Sequence, residues 1–142
     1  MCPGSGHVET PPYAIRTNTL KIQREALLAT LNASDCDAVP TRFVPEGIYI
    51  RQGETRHLSG HTEGIFQLQD QASMLISHLL NPQPGERILD ACAAPGEKTT
   101  HMAAFSDNGA RIVALDLHHP MIGTDSSWII SVASQCYVAR GY

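Results

Sequence analysis

The sequence lacks the features that would place it in several specialised classes of protein. Its 142 residues contain no apolar run close to the roughly 18 residues that a membrane-spanning helix needs. Residues 1–12 have neither an apolar stretch nor a basic flank, so they do not resemble a signal peptide. Their proline, glycine and serine content predicts a disordered terminus.

Cysteine and positive charge are also scarce. Cys2, Cys36, Cys92 and Cys136 are widely separated, which argues against a disulfide framework or a zinc knuckle and favours a reducing, cytoplasmic location. The formal net charge of −4 gives no bulk electrostatic signal for nucleic-acid binding. Composition therefore excludes classes of protein without identifying a function.

The first half of the chain predicts a small α+β unit over residues 13–64. Residues 13–20 are typical of a strand, and 23–32 of a short helix with an apolar stripe formed by Leu27, Leu28 and Leu31. Segments 41–44 and 48–51 flank Pro45-Glu46-Gly47, which predicts a hairpin with a three-residue turn. Residues 52–64 are polar and predict a loop.

The second half predicts a domain of the α/β class, beginning at residue 65. Asp70 is a good N-cap for a helix whose apolar residues Ala72, Leu75, Ile76 and Leu79 follow helical spacing. A strand at 87–91, a helix at 97–106 and a strand at 111–117 form a βαβ unit, which implies parallel strands with a ligand site at their carboxyl ends. After residue 117 the pattern decays, and 118–142 form a divergent tail with one candidate strand at 128–133.

The segment "LDACAAPGEKTTH", residues 89–101, joins the first of these strands to the helix. Lys98-Thr99 resembles the end of a phosphate-binding loop, but Glu97 and Cys92 occupy its two glycine positions. A dinucleotide fingerprint needs three spaced glycines, and this loop has only Gly96. Neither a phosphate loop nor a dinucleotide loop is therefore supported.

A ligand with a carboxylate and a ribose fits the loop better. The amides at the start of the helix can receive a carboxylate. Small residues at 91, 93 and 94 allow close approach, and Asp116, at the end of the neighbouring strand, can accept hydrogen bonds from ribose hydroxyls. S-adenosylmethionine has both groups. A tight turn with no ligand, and Asp116 as a simple strand-end cap, explains the same residues, so both interpretations remain open at this point.

The segment "FQLQDQASMLISHLLNPQPGERILDACAAPGEKTTHMAA" closely resembles the signature of the Sun/Nop-type (RsmB-type) RNA cytosine-5 methyltransferases, and "RTNTLK" at 16–21 matches the family's upstream motif. The resemblance covers residues 12–117. It implies an incomplete Rossmann-like class I methyltransferase domain preceded by a small α+β, RRM-like unit. It also implies RNA (rRNA or tRNA) as partner and S-adenosyl-L-methionine as cofactor. The implied cofactor-binding residues are Cys92, Ala93, Ala94, Pro95, Gly96, Glu97, Lys98 and Asp116.

The family's catalytic chemistry depends on two cysteines in Pro-Cys motifs on later strands, one of which attacks C6 of the base. The only later cysteine here is Cys136, which follows Gln135, and Cys92 belongs to the cofactor loop. We assign no catalytic residue and expect a truncated or frame-shifted fragment that is inactive alone. The alternative is a non-catalytic RNA- or cofactor-binding module that acts with a partner. The family often has a second glycine at position 97, and Asp90 is expected to brace the loop.

Other polar residues give weaker signals. His57 and His61 are four residues apart, but Gly60 argues for a loop and no third ligand is evident, so we assign no metal site. Arg16, Lys21 and Arg24 are interpreted as scattered surface cations, with RNA contact resting on the resemblance alone.

Overall fold

The structure, a computed structural model, describes residues 12–55, 60 and 63–116, together with the backbone of residues 136–140. The predicted disordered terminus up to residue 11, the candidate strand at 128–133, and His57 and His61 lie outside the described residues.

The first part of the chain forms a four-stranded antiparallel sheet. Its strands are β1 (Tyr13–Thr17), β2 (Asp37–Pro40), β3 (Gly47–Gln52) and β4 (Phe66–Leu68), in the order β2-β3-β1-β4. Helix α1 (Arg24–Asn32) packs on this sheet and buries Leu27 and Leu31, as its apolar stripe predicts. The core between them contains Ile15, Leu27, Leu31, Cys36, Ala38, Ile48, Ile50 and Phe66.

The predicted hairpin is present, but its first strand was placed wrongly. Strand β2 lies at Asp37–Pro40, and residues 41–46 form the connection to β3. The Thr41 hydroxyl donates to the Val44 carbonyl at 2.7 Å, and the Gly47 amide donates to the same carbonyl at 3.1 Å. Residues 41–44 are therefore a turn and not a strand, because the Val44 carbonyl accepts these local hydrogen bonds instead of bonds from a neighbouring strand.

The second part forms a three-stranded parallel sheet with two helices. Helix α2 (Gln71–Leu80) precedes β5 (Arg87–Asp90), α3 (Glu97–Phe105), β6 (Arg111–Asp116) and β7 (Cys136–Arg140), and the strand order is β5-β6-β7. The parallel register pairs Asp90 with Ala114, and the Asp70 carboxylate accepts a bond from the Ala72 amide at 3.1 Å. The predicted βαβ unit and the predicted N-cap are therefore confirmed.

The predicted apolar stripe of α2 identifies the helix but not its buried face. Met74 and Ser77 are fully buried, whereas Ile76 is 42% exposed and Leu79 is 86% exposed. Helix α2 packs against α3 and β1, and it presents the side that carries Met74 and Ser77 to the interior. The most apolar side of the helix therefore remains at the surface of the described structure.

Two strands were not predicted. Strand β4 pairs antiparallel with β1, so the first sheet extends past residue 64, where the sequence analysis placed the start of the second domain. Strand β7 extends the parallel sheet with residues of the segment interpreted as a divergent tail.

None of the helices in the described ranges combines the length and hydropathy required to cross a membrane.

Candidate cofactor-binding site

The loop between β5 and α3 ends in a backbone conformation that suits glycine. Gly96 has a φ of 106°, in the left-handed region, and it is the N-cap of α3. Its amide donates to the Ala93 carbonyl at 2.5 Å, so the loop folds back on itself before the helix begins. No side chain caps α3. The first amides of the helix thus offer donors to an anionic group.

Asp90 holds the loop from inside. Its side chain is buried and accepts a bond from the Thr99 hydroxyl at 2.6 Å and from the Cys92 amide at 3.3 Å. These bonds connect the end of β5 to the first turn of α3 and to the start of the loop. The structure confirms that Asp90 braces the loop.

Asp116 lies against the same loop, although it is 22 residues away in sequence. One of its carboxylate oxygens accepts the Ala94 amide at 2.9 Å, and the Ala93 amide donates to the Leu115 carbonyl at 2.9 Å. The carboxyl end of β6 is therefore joined to the loop, and the structure brings the two predicted parts of the site together.

The remaining predicted site residues differ in exposure. Cys92 and Pro95 are exposed, whereas Glu97 and Lys98 are partly buried. Burial raises the pKa of the Glu97 carboxyl, assisted by Asp70 and opposed by Lys98 and Arg16. Glu97 thus adds a carboxylate of unfavourable charge close to the helix terminus where an anion would bind.

A cavity beside the loop does not coincide with this site. It has a volume of about 680 Å³ and lies between α2 and β5, where Ile76, Leu80 and Leu89 contribute to its wall. Cys92 and Lys98 also line it, but Gly96 and Asp116 do not. Because its lining is mainly apolar and open to solvent, we assign the candidate site from the loop geometry and not from the cavity.

Arg16 is the main residue whose predicted role is wrong. It was interpreted as a surface cation, but it is 3% exposed. Burial lowers its pKa to about 10, with the charges of Glu46 and Glu97 acting in the opposite direction, so it is protonated at neutral pH. Its guanidinium donates to the Gln69 side chain at 2.6 Å, the Glu97 carbonyl at 2.7 Å, the Thr100 hydroxyl at 3.0 Å and the Gln67 side chain at 3.1 Å.

These bonds link Arg16, on β1 of the first sheet, to the first turn of α3. We call this set of contacts the polar seam, and it consists of Arg16, Gln67, Gln69, Glu97 and Thr100. The other two cations are at the surface: Lys21 donates to the Glu63 carbonyl and Arg24 pairs with the adjacent Glu25. The family motif at 16–21 contains Lys21 as well as Arg16, so the sequence did not distinguish the buried cation from the exposed one.

Two family models match separate parts of the chain. The model described as "Methyltr_RsmF/B-like, ferredoxin-like domain" matches residues 7–55, and "16S rRNA methyltransferase RsmB/F" matches residues 77–122. The first match covers most of the antiparallel sheet, and the second covers the loop and Asp116.

The curated proteins that the chain matches are also named as RNA methyltransferases. The probable ribosomal RNA small subunit methyltransferase B of Coxiella burnetii is 36% identical over 107 residues, which are 75% of this chain and 25% of that protein. The human tRNA (cytosine(72)-C(5))-methyltransferase NSUN6 is 48% identical over 75 residues, which are 50% of this chain and 16% of the human protein. The chain thus spans about a quarter or less of the curated relatives it matches.

Solved structures support the fold. A methyltransferase homologue from Pyrococcus horikoshii superposes with a TM-score of 0.76 at 27% identity, covering 94% of this chain and 44% of the other. NSun6 from the same organism, solved with SFG, gives a TM-score of 0.84 at 18% identity, covering 94% of this chain and 59% of the other. The combination of a ferredoxin-like sheet with a partial Rossmann-like sheet, and the sequence matches to both parts, place this chain in the RsmB/F family of methyltransferases.

Proposed function

We propose that this chain carries the S-adenosylmethionine-binding part of an RNA cytosine-5 methyltransferase. The observation that carries the proposal is the junction of the 92–98 loop with the end of β6, through the bond from the Ala94 amide to Asp116. The bond keeps the strand-end carboxylate next to the loop that leads to the uncapped terminus of α3, which supports the proposal. The named activities of the rRNA and tRNA relatives supply the substrate class.

In this proposal the loop residues bind the cofactor through main-chain groups. The first amides of α3 receive the methionine carboxylate, and the small side chains of Ala93 and Ala94 permit close approach to the backbone. Asp116 accepts from the ribose hydroxyls. A carboxylate can accept about four hydrogen bonds, so the bond from Ala94 does not prevent this role. When bound, S-adenosylmethionine supplies an electrophilic methyl group.

We also propose that the 142-residue chain does not transfer that methyl group by itself. The family's nucleophile is a cysteine that follows proline, and the residues that precede the four cysteines here are Met1, Asp35, Ala91 and Gln135. Cys92 is exposed, but it is part of the proposed cofactor loop. In this proposal the antiparallel sheet contacts the RNA, and the parallel sheet binds the cofactor.

Calorimetry with S-adenosylmethionine and with its demethylated product tests the binding proposal. Two charge-assisted contacts of roughly 1.5–3 kcal/mol each, reduced by ordering costs, predict a Kd near 1 mM, which corresponds to about −4 kcal/mol. Asp116→Ala should abolish measurable binding. Asp37→Ala, at an exposed strand residue of the first sheet, is the matched control and should leave binding unchanged. Micromolar binding that is insensitive to Asp116 would refute the ribose assignment.

A transfer assay tests the second proposal. The purified chain, incubated with tritiated S-adenosylmethionine and bulk RNA, should incorporate no label, while an active RNA methyltransferase serves as positive control. Incorporation that disappears in Cys136→Ala would show that Cys136 is the nucleophile and that our interpretation of the motifs is wrong. Incorporation that persists in that variant would also contradict the proposal.

A further inference from the structure

Three potential metal ligands converge where the first sheet meets α2 and α3. Glu46 lies in the β2–β3 connection, His78 on α2 and His101 on α3. The Glu46 Oε1 atom is 2.6 Å from His101 Nε2 and 2.8 Å from His78 Nε2. One ligand atom from each residue lies within 4.8 Å of the other two.

We propose that Glu46, His78 and His101 bind a divalent transition-metal ion of the zinc class. Two imidazole nitrogens and one carboxylate form a donor set that suits zinc and its neighbours in the first transition row. The three ligands come from three different elements, and two of these are helices that pack against each other. None of the three belongs to the pair His57 and His61, which the sequence spacing suggested as possible ligands.

Glu46 and His101 are both buried and form a hydrogen bond with each other. Burial alone raises the pKa of Glu46, but hydrogen bonds from His101, from the backbone and from His78 outweigh it and lower this pKa to about 2. Burial lowers the pKa of His101, and its hydrogen bond to Glu46 acts in the opposite direction.

Proton balance at the rings is simple. Each Nε2 atom carries the proton that it shares with Glu46 in the metal-free state, and each must present a lone pair to the ion. The Nε2 proton of a neutral ring is released to solvent while Nδ1 takes one up, so the ring stays neutral when Nε2 binds the ion. His101 Nδ1 has no hydrogen-bond partner among the described residues, so it takes up a proton without breaking an existing bond.

The surroundings leave room for a further ligand. A cavity of about 270 Å³ adjoins the cluster, and Thr17, Thr19, Pro45 and Phe105 help to line it. The Thr17 hydroxyl is buried and, within the described residues, has no hydrogen-bond partner, so it can bond a water molecule on the ion. The Phe105 ring contacts His78 edge-on with centroids 4.9 Å apart, which limits rotation of that imidazole. A fourth, water-filled coordination position completes the usual zinc geometry.

Zinc titration of the full chain, after treatment with a chelator and desalting, tests the proposal by calorimetry. We expect one Zn²⁺ per chain with micromolar or tighter affinity, a higher midpoint of thermal unfolding with zinc, and visible absorption bands when Co²⁺ replaces it. Loss of groups that merely support a metal ligand costs about 10–100-fold in affinity, so loss of a ligand in His78→Gln or Glu46→Gln should cost more than about 100-fold.

The double variant His57→Ala/His61→Ala is the matched control and should bind zinc like the wild type. His78 is only partly buried, so His78→Gln is expected to fold. This variant therefore decides the test even if Glu46→Gln fails to fold. The proposal is overturned if the wild type takes up no zinc at concentrations well above micromolar. It is equally overturned if uptake persists in His78→Gln, or if it is lost in the double variant.

Discussion

The antiparallel and parallel sheets differ in how completely they bury their own apolar side chains. The first sheet and α1 enclose a core that includes Ile15, Ile48 and Phe66, all 0–1% exposed. The core beside the parallel sheet is made of Met102, Ile112 and three alanines. Leu79 and Leu89, from α2 and β5, are 86% and 63% exposed. The first region thus stabilises itself, whereas the second depends more strongly on the polar seam that joins it to the first.

Phe66→Ala should have the largest effect, because it removes a fully buried ring from the self-contained core. We expect the free energy of unfolding to fall by about 3–5 kcal/mol. Leu89→Ala, at an exposed position of β5, should change it by no more than about 0.5 kcal/mol. Urea denaturation followed by far-UV circular dichroism measures both. Similar losses in the two variants would show that β5 is as well packed as the first sheet.

Arg16→Met should have the next largest effect, because it deprives four acceptors in the polar seam of their donor. A loss of about 2–4 kcal/mol is expected, since hydrogen bonds to a charged group are among the strongest and the abandoned acceptors remain buried. Arg16→Lys should rescue little of it, because a lysine cannot reproduce the planar fork of donors.

Arg24→Met is the matched control for this prediction. Arg24 pairs only with the adjacent, exposed Glu25 among the described residues, so its replacement should leave the urea midpoint unchanged. If Arg16→Met is as stable as Arg24→Met, the polar seam does not hold the two regions together.

Glu97→Gln should have the smallest effect and the opposite sign. Since burial raises the folded-state pKa of Glu97 above its ordinary value, ionisation destabilises the fold, and the wild type loses stability as pH rises from about 4.5 through that raised pKa. At neutral pH the variant should be more stable by less than about 1 kcal/mol, because solvent screens a half-buried group.

The pH dependence supplies the control within the same experiment. The stability difference between the wild type and Glu97→Gln should vanish at pH values well below 4.5, where Glu97 is protonated in both the folded and the unfolded state. The variant should also bind S-adenosylmethionine more tightly, since it lacks a carboxylate near the proposed anion site. A difference that stays constant between acidic and neutral pH would show that Glu97 does not act through its charge.

Local sequence patterns predicted helix α2 and the βαβ unit well because their information lies close together in the chain. The N-cap at Asp70, the small residues before Gly96 and the acidic strand end at Asp116 each act over a few residues, and the structure contains all three features. The predicted helix boundaries agree with the structure to within a residue or two.

Features that depend on tertiary contacts were not predictable in this way. Strand β4 has only three residues and forms because β1 offers an edge to pair with. The buried role of Arg16 and the cluster around Glu46 arise only when the first sheet meets α3, more than fifty residues later in the chain. The buried face of α2 was misjudged for the same reason, since its neighbours and not its hydropathy decide which side is covered.

The most direct test of the central claim is a ¹H–¹⁵N NMR titration of the chain with S-adenosylmethionine's demethylated product. The account predicts that the shifted amides cluster at residues 93–99 and at 115–116, and that amides of the first sheet move little. Asp116→Ala should remove these shifts, while Asp37→Ala should retain them. Shifts confined to residues around Leu80 and Leu89, which line the large cavity, or no shifts at millimolar ligand, would contradict the account.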